Sequence, residues 1–187
     1  MLILGISGSP AKDGVTSLLL DNALLGARSK LAETEKVILN DLYFRPCQQC
    51  GGCDRTGICV LKDDLSFLYD RIEVADAVIV SSPIFFGSVS AQIKMMIDRF
   101  QCAWIRRNMA DNPVGAKSRR GIFLCAAGSE RTDFFENARK TIRIFYATLN
   151  IEYYGELFVP SADGKKISGE LEYSLKRAFE LGVAICR

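Results

Sequence analysis

The sequence contains no histidine. That absence removes Ser-His-Asp triads, Cys-His pairs, HExxH zinc proteases and every imidazole metal ligand. An enzyme built from this chain is expected to leave its hard chemistry to a cofactor. Charge imbalance is nearly missing too. A formal net charge of +2 over 187 residues argues against bulk binding to nucleic acid or to a membrane surface. No apolar run reaches the length of a membrane span. The opening "MLILGISGSP" lacks a basic stretch followed by a long apolar one, so no signal peptide is expected and a cytoplasmic location follows. Repeats, low-complexity tracts and linkers are absent, and 49% hydrophobic with 25% charged residues is the balance of a folded chain. One domain over residues 1–187 is expected.

Short apolar runs alternate with stretches of helical period. "LILGI" (2–6), "KVILN" (36–40), "AVIVS" (77–81), "IFLCA" (122–126) and "IEYYGELFV" (151–159) read as strands. The last alternates apolar and polar residues, as a half-exposed edge strand does. Ile93, Met96, Ile97, Phe100 and Trp104 recur at helical steps, as do Phe134, Ala138, Ile142, Phe145 and Leu149, and Leu171, Leu175, Ala178, Phe179 and Val183. Leu65, Leu68 and Ile72 form a further stripe, with Asp63 as its expected N-cap. Five βα units imply an α/β three-layer sandwich with a five-stranded parallel sheet, for which order 2-1-3-4-5 is expected. Ligands bind such sheets beyond the carboxyl ends of the strands.

The loop after the first strand, "GISGSPAKDGVTSLLL", carries Gly8, Ser9, Pro10 and Gly14, with Thr16 and Ser17 opening the helix. Helix-start N–H groups and these hydroxyls suit a phosphate, and an ordinary Gly/Ser turn into a helix has the same composition. Neither the Walker A nor the GxGxxG pattern is met. After the third strand comes "SSPIFFGSVSAQIKMMIDRF". Ser82 and Pro83 end the strand, and Gly87 allows an unusual turn. Ile84, Phe85 and Phe86 are apolar where loops normally face water, which fits a flat aromatic ligand, a hydrophobic plug or a subunit contact.

"GSPAKDGVTSLL" (8–19), "SSPIFFGSVSAQIKMMIDR" (81–99) and "CAAGS" (125–129) together resemble the NADPH-dependent FMN reductase branch of the flavodoxin-like proteins. The resemblance covers nearly the whole chain and is most specific in the second stretch. It implies a flavodoxin-like fold and an FMN site. In that site Ser7, Ser9, Pro10, Val15, Thr16 and Ser17 hold the phosphate, Ser82 to Gly87 lie along the ring, and Ala127 and Gly128 close the pocket. Relatives often carry Asn where Val15 stands, so one phosphate contact is expected to be missing or to come from backbone.

Against the missing histidine stands an abundance of cysteine, seven in all. Cytoplasmic thiols stay reduced, so metal or redox chemistry comes before disulfides. Cys47, Cys50, Cys53 and Cys59 follow the spacing C-x2-C-x2-C-x5-C, in a loop expected at about 41–62. Gly51, Gly52 and Gly57 let that loop wrap a ligand closely. The bacterial ferredoxin run ends in C-x3-C-P, whereas here the gap is longer and Val60 follows. The motif resembles instead that of the iron–sulfur flavoproteins of the same family, which implies a [4Fe–4S] cluster near FMN. Asp63-Asp64 fits the same pattern. Zinc usually takes four thiolates from two separated knuckles, so the crowding favours a cluster, with zinc or empty thiols as alternatives. Cys102, Cys125 and Cys186 read as packing residues or tail.

Arg106, Arg107, Lys117, Arg119 and Arg120 flank Asp111-Asn112-Pro113, either as a solvated surface or as a docking patch for an acidic ferredoxin or the NADPH phosphate. The expected function is electron transfer between NAD(P)H or ferredoxin and an acceptor, through FMN and a cluster. The alternatives are a simple NAD(P)H:FMN or quinone reductase and a non-enzymatic redox sensor or carrier. No general base is assigned. The apolar loop set leads to an expected homodimer or homotetramer.

Overall fold

Strand β1 (Leu2–Ser7) sits between two parallel neighbours and is buried on both faces, which is why "LILGIS" is apolar at almost every position. The computed structural model describes residues 1–109, 118–162 and 169–186. The other strands are β2 (Glu33–Ile38), β3 (Ala77–Phe85), β4 (Ser88–Val89), β5 (Arg119–Ala126) and β6 (Ile151–Val159). The five longer strands are parallel in the order β2-β1-β3-β5-β6, and β4 is a two-residue hairpin partner of β3. With β4 set aside, this is the expected order, and β2 and β6 are the edges.

Helices α1 (Val15–Arg28) and α6 (Gly169–Ile185) cover one face. They approach so closely that a Cβ on Gly26 would lie 2.1 Å from the Phe179 carbonyl oxygen. Helices α2 (Ser66–Val74), α3 (Ala91–Arg99), α4 (Gln101–Arg107) and α5 (Phe134–Thr148) cover the other. Each layer buries one side of the sheet, Leu4, Ile6, Val78, Val80 and Phe123 beneath α2 to α5 and Ile3, Ile79, Ile122 and Leu124 beneath α1 and α6.

Several sequence expectations are corrected. Strand β2 begins three residues earlier than 36–40, and Leu39–Asp41 is a 3-10 turn instead. The apolar pattern missed Glu33-Thr34-Glu35 because an edge strand tolerates polar side chains. The single stripe from Ile93 to Trp104 is two helices meeting at Phe100, and Trp104 is half-exposed. Helix α2 starts at Ser66, with Leu65 and not Asp63 at its N-cap. Asp63 accepts from the Leu65 N–H and turns its other oxygen to Arg99.

The basic patch is also partly undone. Arg119 is buried and donates to the carbonyls of Ile72 (2.7 Å) and Leu149 (2.9 Å), pinning the ends of α2 and α5 beneath the start of β5. Arg106 pairs with Glu73, and Arg107 donates to the Ala147 carbonyl. Lys117 and Asp111-Asn112-Pro113 lie outside the described residues.

Candidate functional site

Because β1, β3 and β5 run parallel, the loops that follow them share one end of the sheet. The first loop turns through Gly8. Its N–H donates to the Ser81 carbonyl, and an added Cβ would lie 2.2 Å from Ile93. Only glycine lets this backbone press against the start of α3. Ser7, Ser9, Thr16 and Ser17 are all buried, while Pro10 is exposed. The Ser9 hydroxyl donates to the Ala11 carbonyl at 3.0 Å and accepts from the Ala11 N–H at 3.2 Å, and the Ser17 hydroxyl also donates to that carbonyl. These hydroxyls therefore shape the loop. Helix α1 has no side-chain cap at Gly14, and while the Ser17 N–H donates to the Gly14 carbonyl at 2.9 Å, the N–H groups of Val15 and Thr16 open onto the loop. Ser81, paired in register with Ser7, has a buried hydroxyl without a hydrogen-bond partner.

The second loop is a tight hairpin. Ile84 pairs with Val89 and Phe85 with Ser88, leaving Phe86 and Gly87 at the tip. Both have positive φ, 51° and 72°, the pattern of a two-residue type I′ turn. A bulky residue rarely holds that conformation, and Phe86 does so fully exposed. Asn137 on α5 donates to the Gly87 carbonyl at 3.1 Å and fixes the tip. Ser82 accepts from the Ser90 N–H, and Pro83 and Ile84 are half-buried. The third loop is tied to the end of β6, with Ala127 donating to the Val159 carbonyl and Gly128 exposed beyond it.

The cysteine loop leaves the same end of the sheet from β2 and drapes over α3 and α4. Cys47, Cys50, Cys53 and Cys59 line one cavity of ≈ 770 Å³, whose other wall includes Asp98, Arg99, Cys102 and Trp104. None of the flavin-candidate residues lines it. Arg99 closes α3 nine residues after its Ser90 cap, about 13 Å along the helix. Cys47 and Cys50 are exposed, and Cys53 and Cys59 half-buried. Among the described residues no three Cys or acidic side chains converge to bind one metal ion. A cubane takes one thiolate at each of four irons, so its ligands stand around a space and not around a point. Four thiols on the wall of one cavity fit that donor set.

Sequence reasoning missed two members of the cavity. Cys102 is buried against Cys59 and Cys53, and burial, with those neighbours adding to it, pushes its thiol up. Arg99 is 1% exposed, and its NH1 donates to Asp63 at 2.6 Å. Burial works against both charges, yet each partner outweighs it. Asp63 is held below the usual carboxylate range, and Arg99 above its ordinary value. The available signal was position, since Arg99 follows Met96 by one helical step on the inward face.

A doubly wound parallel sheet, with an uncapped helix start after β1 and an apolar hairpin after β3, defines a flavodoxin-like protein. The family described as NADPH-dependent FMN reductase matches residues 1–143, and this chain belongs to it. It is 41% identical over 99 residues to an iron-sulfur flavoprotein of Methanocaldococcus jannaschii, covering 53% of this chain and 51% of that one. An iron-sulfur flavoprotein of Archaeoglobus fulgidus is 36% identical over 145 residues, covering 78% and 71%. The chain thus spans about half the length of the first of these relatives. An NAD(P)H:quinone oxidoreductase from Methanothermobacter marburgensis shares the fold at a TM-score of 0.77 and 15% identity, covering 98% of both chains.

Proposed function

We propose that this chain is an FMN-dependent oxidoreductase that passes electrons between a reduced donor, NAD(P)H or ferredoxin, and an acceptor through FMN and a [4Fe–4S] cluster. FMN exchanges electrons in pairs or singly, and a cluster exchanges them singly, so the two together couple a two-electron donor to one-electron partners. The family supports FMN, and three features of this chain fit it. The Val15 and Thr16 N–H groups at the start of α1 suit the phosphate, with Ser7, Ser9, Pro10, Val15, Thr16 and Ser17 forming the surrounding loop. Ser82 to Gly87 offer an apolar edge to the ring, and Ala127 and Gly128 close the third side. Membrane-spanning helices are absent among the described residues.

The observation that carries the cluster is the shared cavity of Cys47, Cys50, Cys53 and Cys59. The names of the relatives lend support. The exposed Phe86 tip with half-exposed Phe85 supports assembly as a homodimer or homotetramer. Purification without oxygen, followed by iron, sulfide and flavin analysis and by assay of NADH and NADPH oxidation, tests the reading. Flavin with about four irons and four sulfides per chain is expected. Flavin with neither overturns the cluster and leaves a simple reductase.

A further inference from the structure

We infer that Arg99 is a positioning residue for the cluster: it closes the cysteine loop and directs a buried positive charge and an unused N–H donor at the cluster's sulfur. The inference rests on the cluster reading above. Its basis is a set of contacts that no spacing of cysteines requires. Arg99 NH1 donates to the carbonyl of Arg45 at 2.9 Å, and NH2 to the carbonyl of Leu61 at 3.4 Å. Arg45 lies two residues before the first cysteine, and Leu61 two residues after the last. One guanidinium thus ties together both ends of the segment that carries all four thiols. Asp63 holds the same NH1 and fixes the plane of the fork.

These contacts use three of the five N–H donors, and of the other two the one on Nε is buried and has no hydrogen-bond partner. A buried N–H without a partner costs free energy; the Arg119 Nε shares that state, and what sets Arg99 apart is its place in the wall of the cysteine cavity. Arg99 forms part of the cavity wall, and its guanidinium stands beside the Cys59 sulfur. A cluster with four thiolates carries net negative charge, and its sulfurs accept N–H donors. Both charge and hydrogen bonds of this kind raise the reduction potential by favouring the more negative reduced form. Asp63 offsets part of the charge, while the donor at Nε remains available.

The test compares wild type, Arg99→Met and Arg99→Lys, each prepared without oxygen and reconstituted with iron and sulfide. Three quantities are read: FMN content, the cluster's midpoint potential by spectroscopic redox titration, and the rate of iron loss to a chelator. Arg99→Met is expected to keep FMN, to lose iron roughly tenfold faster, as befits one lost hydrogen bond to a charged group, and to shift the potential downward. Arg99→Lys keeps charge without the fork, so its potential should fall between the other two. A potential and chelator lifetime in Arg99→Met equal to wild type overturn the role of Arg99 and leave the cluster standing. If Arg99→Met gives no folded, FMN-binding protein, Arg99→Lys decides, and an unchanged potential there overturns the inference. Wild type that holds no iron or sulfide overturns the cluster reading and this inference with it.

Discussion

The hydroxyl of Ser90 donates to the carbonyl of Gly8 at 2.7 Å and accepts from the Ile93 N–H at 3.3 Å. One side chain therefore caps α3 and fastens the loop after β1 to the loop after β3. The Ser90 N–H in turn donates to the Ser82 hydroxyl at 2.9 Å. The two loops proposed to meet the flavin's phosphate and ring are thus tied directly to each other.

Ser90→Ala removes the cap and leaves the Gly8 carbonyl without this donor. A loss of about 1–2 kcal/mol is expected in denaturant melts. FMN affinity should fall as well, because the two loops lose their link. Unchanged stability and affinity would show that the link holds nothing.

The strand order was legible because β1 and β3 are buried on both faces, and continuous apolar runs leave few alternatives. The hairpin strand β4 was not, since two residues carry no periodicity. The cysteine segment stood out by the spacing of its thiols and by its glycines. The walls around it did not. Cys102 lies more than forty residues from Cys59 in sequence, and only the packing of α4 against the loop brings it there. Arg99 and Arg119 were read as surface or not at all, because charge in a sequence suggests solvent. Each instead satisfies backbone carbonyls in the interior.

Arg119 tests that lesson apart from any cofactor. Its guanidinium is buried and serves the carbonyls of Ile72 and Leu149, near the C-terminal ends of α2 and α5. Cations are favoured there by the helix dipole. Arg119→Met fills similar volume but supplies no donor. It should cost about 2–4 kcal/mol of stability by thermal or chemical unfolding. A substitution at an exposed position such as Lys140→Met should cost under about 0.5 kcal/mol.

Asp63 and Arg99 predict a pH dependence. The folded-state pKa of Asp63 is depressed, so the pair's contribution is complete above the unfolded value of about 3.9 and is lost as pH falls through the folded value. Melting temperatures of wild type and Asp63→Asn, measured from pH 7 to pH 3, should differ by a constant amount down to about pH 5. The gap should then close below about pH 4. A gap that widens in acid would reverse the assigned sign.

The last prediction separates the thiols. Cys59 stands beside Arg99 on the cavity wall, and Cys186 sits on the opposite face of the sheet, where its thiol donates to the Gly182 carbonyl at 3.4 Å. Cys59→Ser should destroy or sharply lower iron content while FMN stays, because none of the flavin-candidate residues lines the cysteine cavity. Cys47, Cys50 and Cys53 should behave alike, since each corner of a cubane needs its own thiolate. Cys186→Ser should leave iron and flavin unchanged. Cys102→Ser is the informative intermediate. Cys102 lines the cavity, yet its thiol donates to the Arg99 carbonyl at 3.4 Å, a bond that a serine hydroxyl can also make. Full iron content is therefore expected in Cys102→Ser. Iron lost from that variant but retained in one of the loop variants would move a ligand from the loop onto α4.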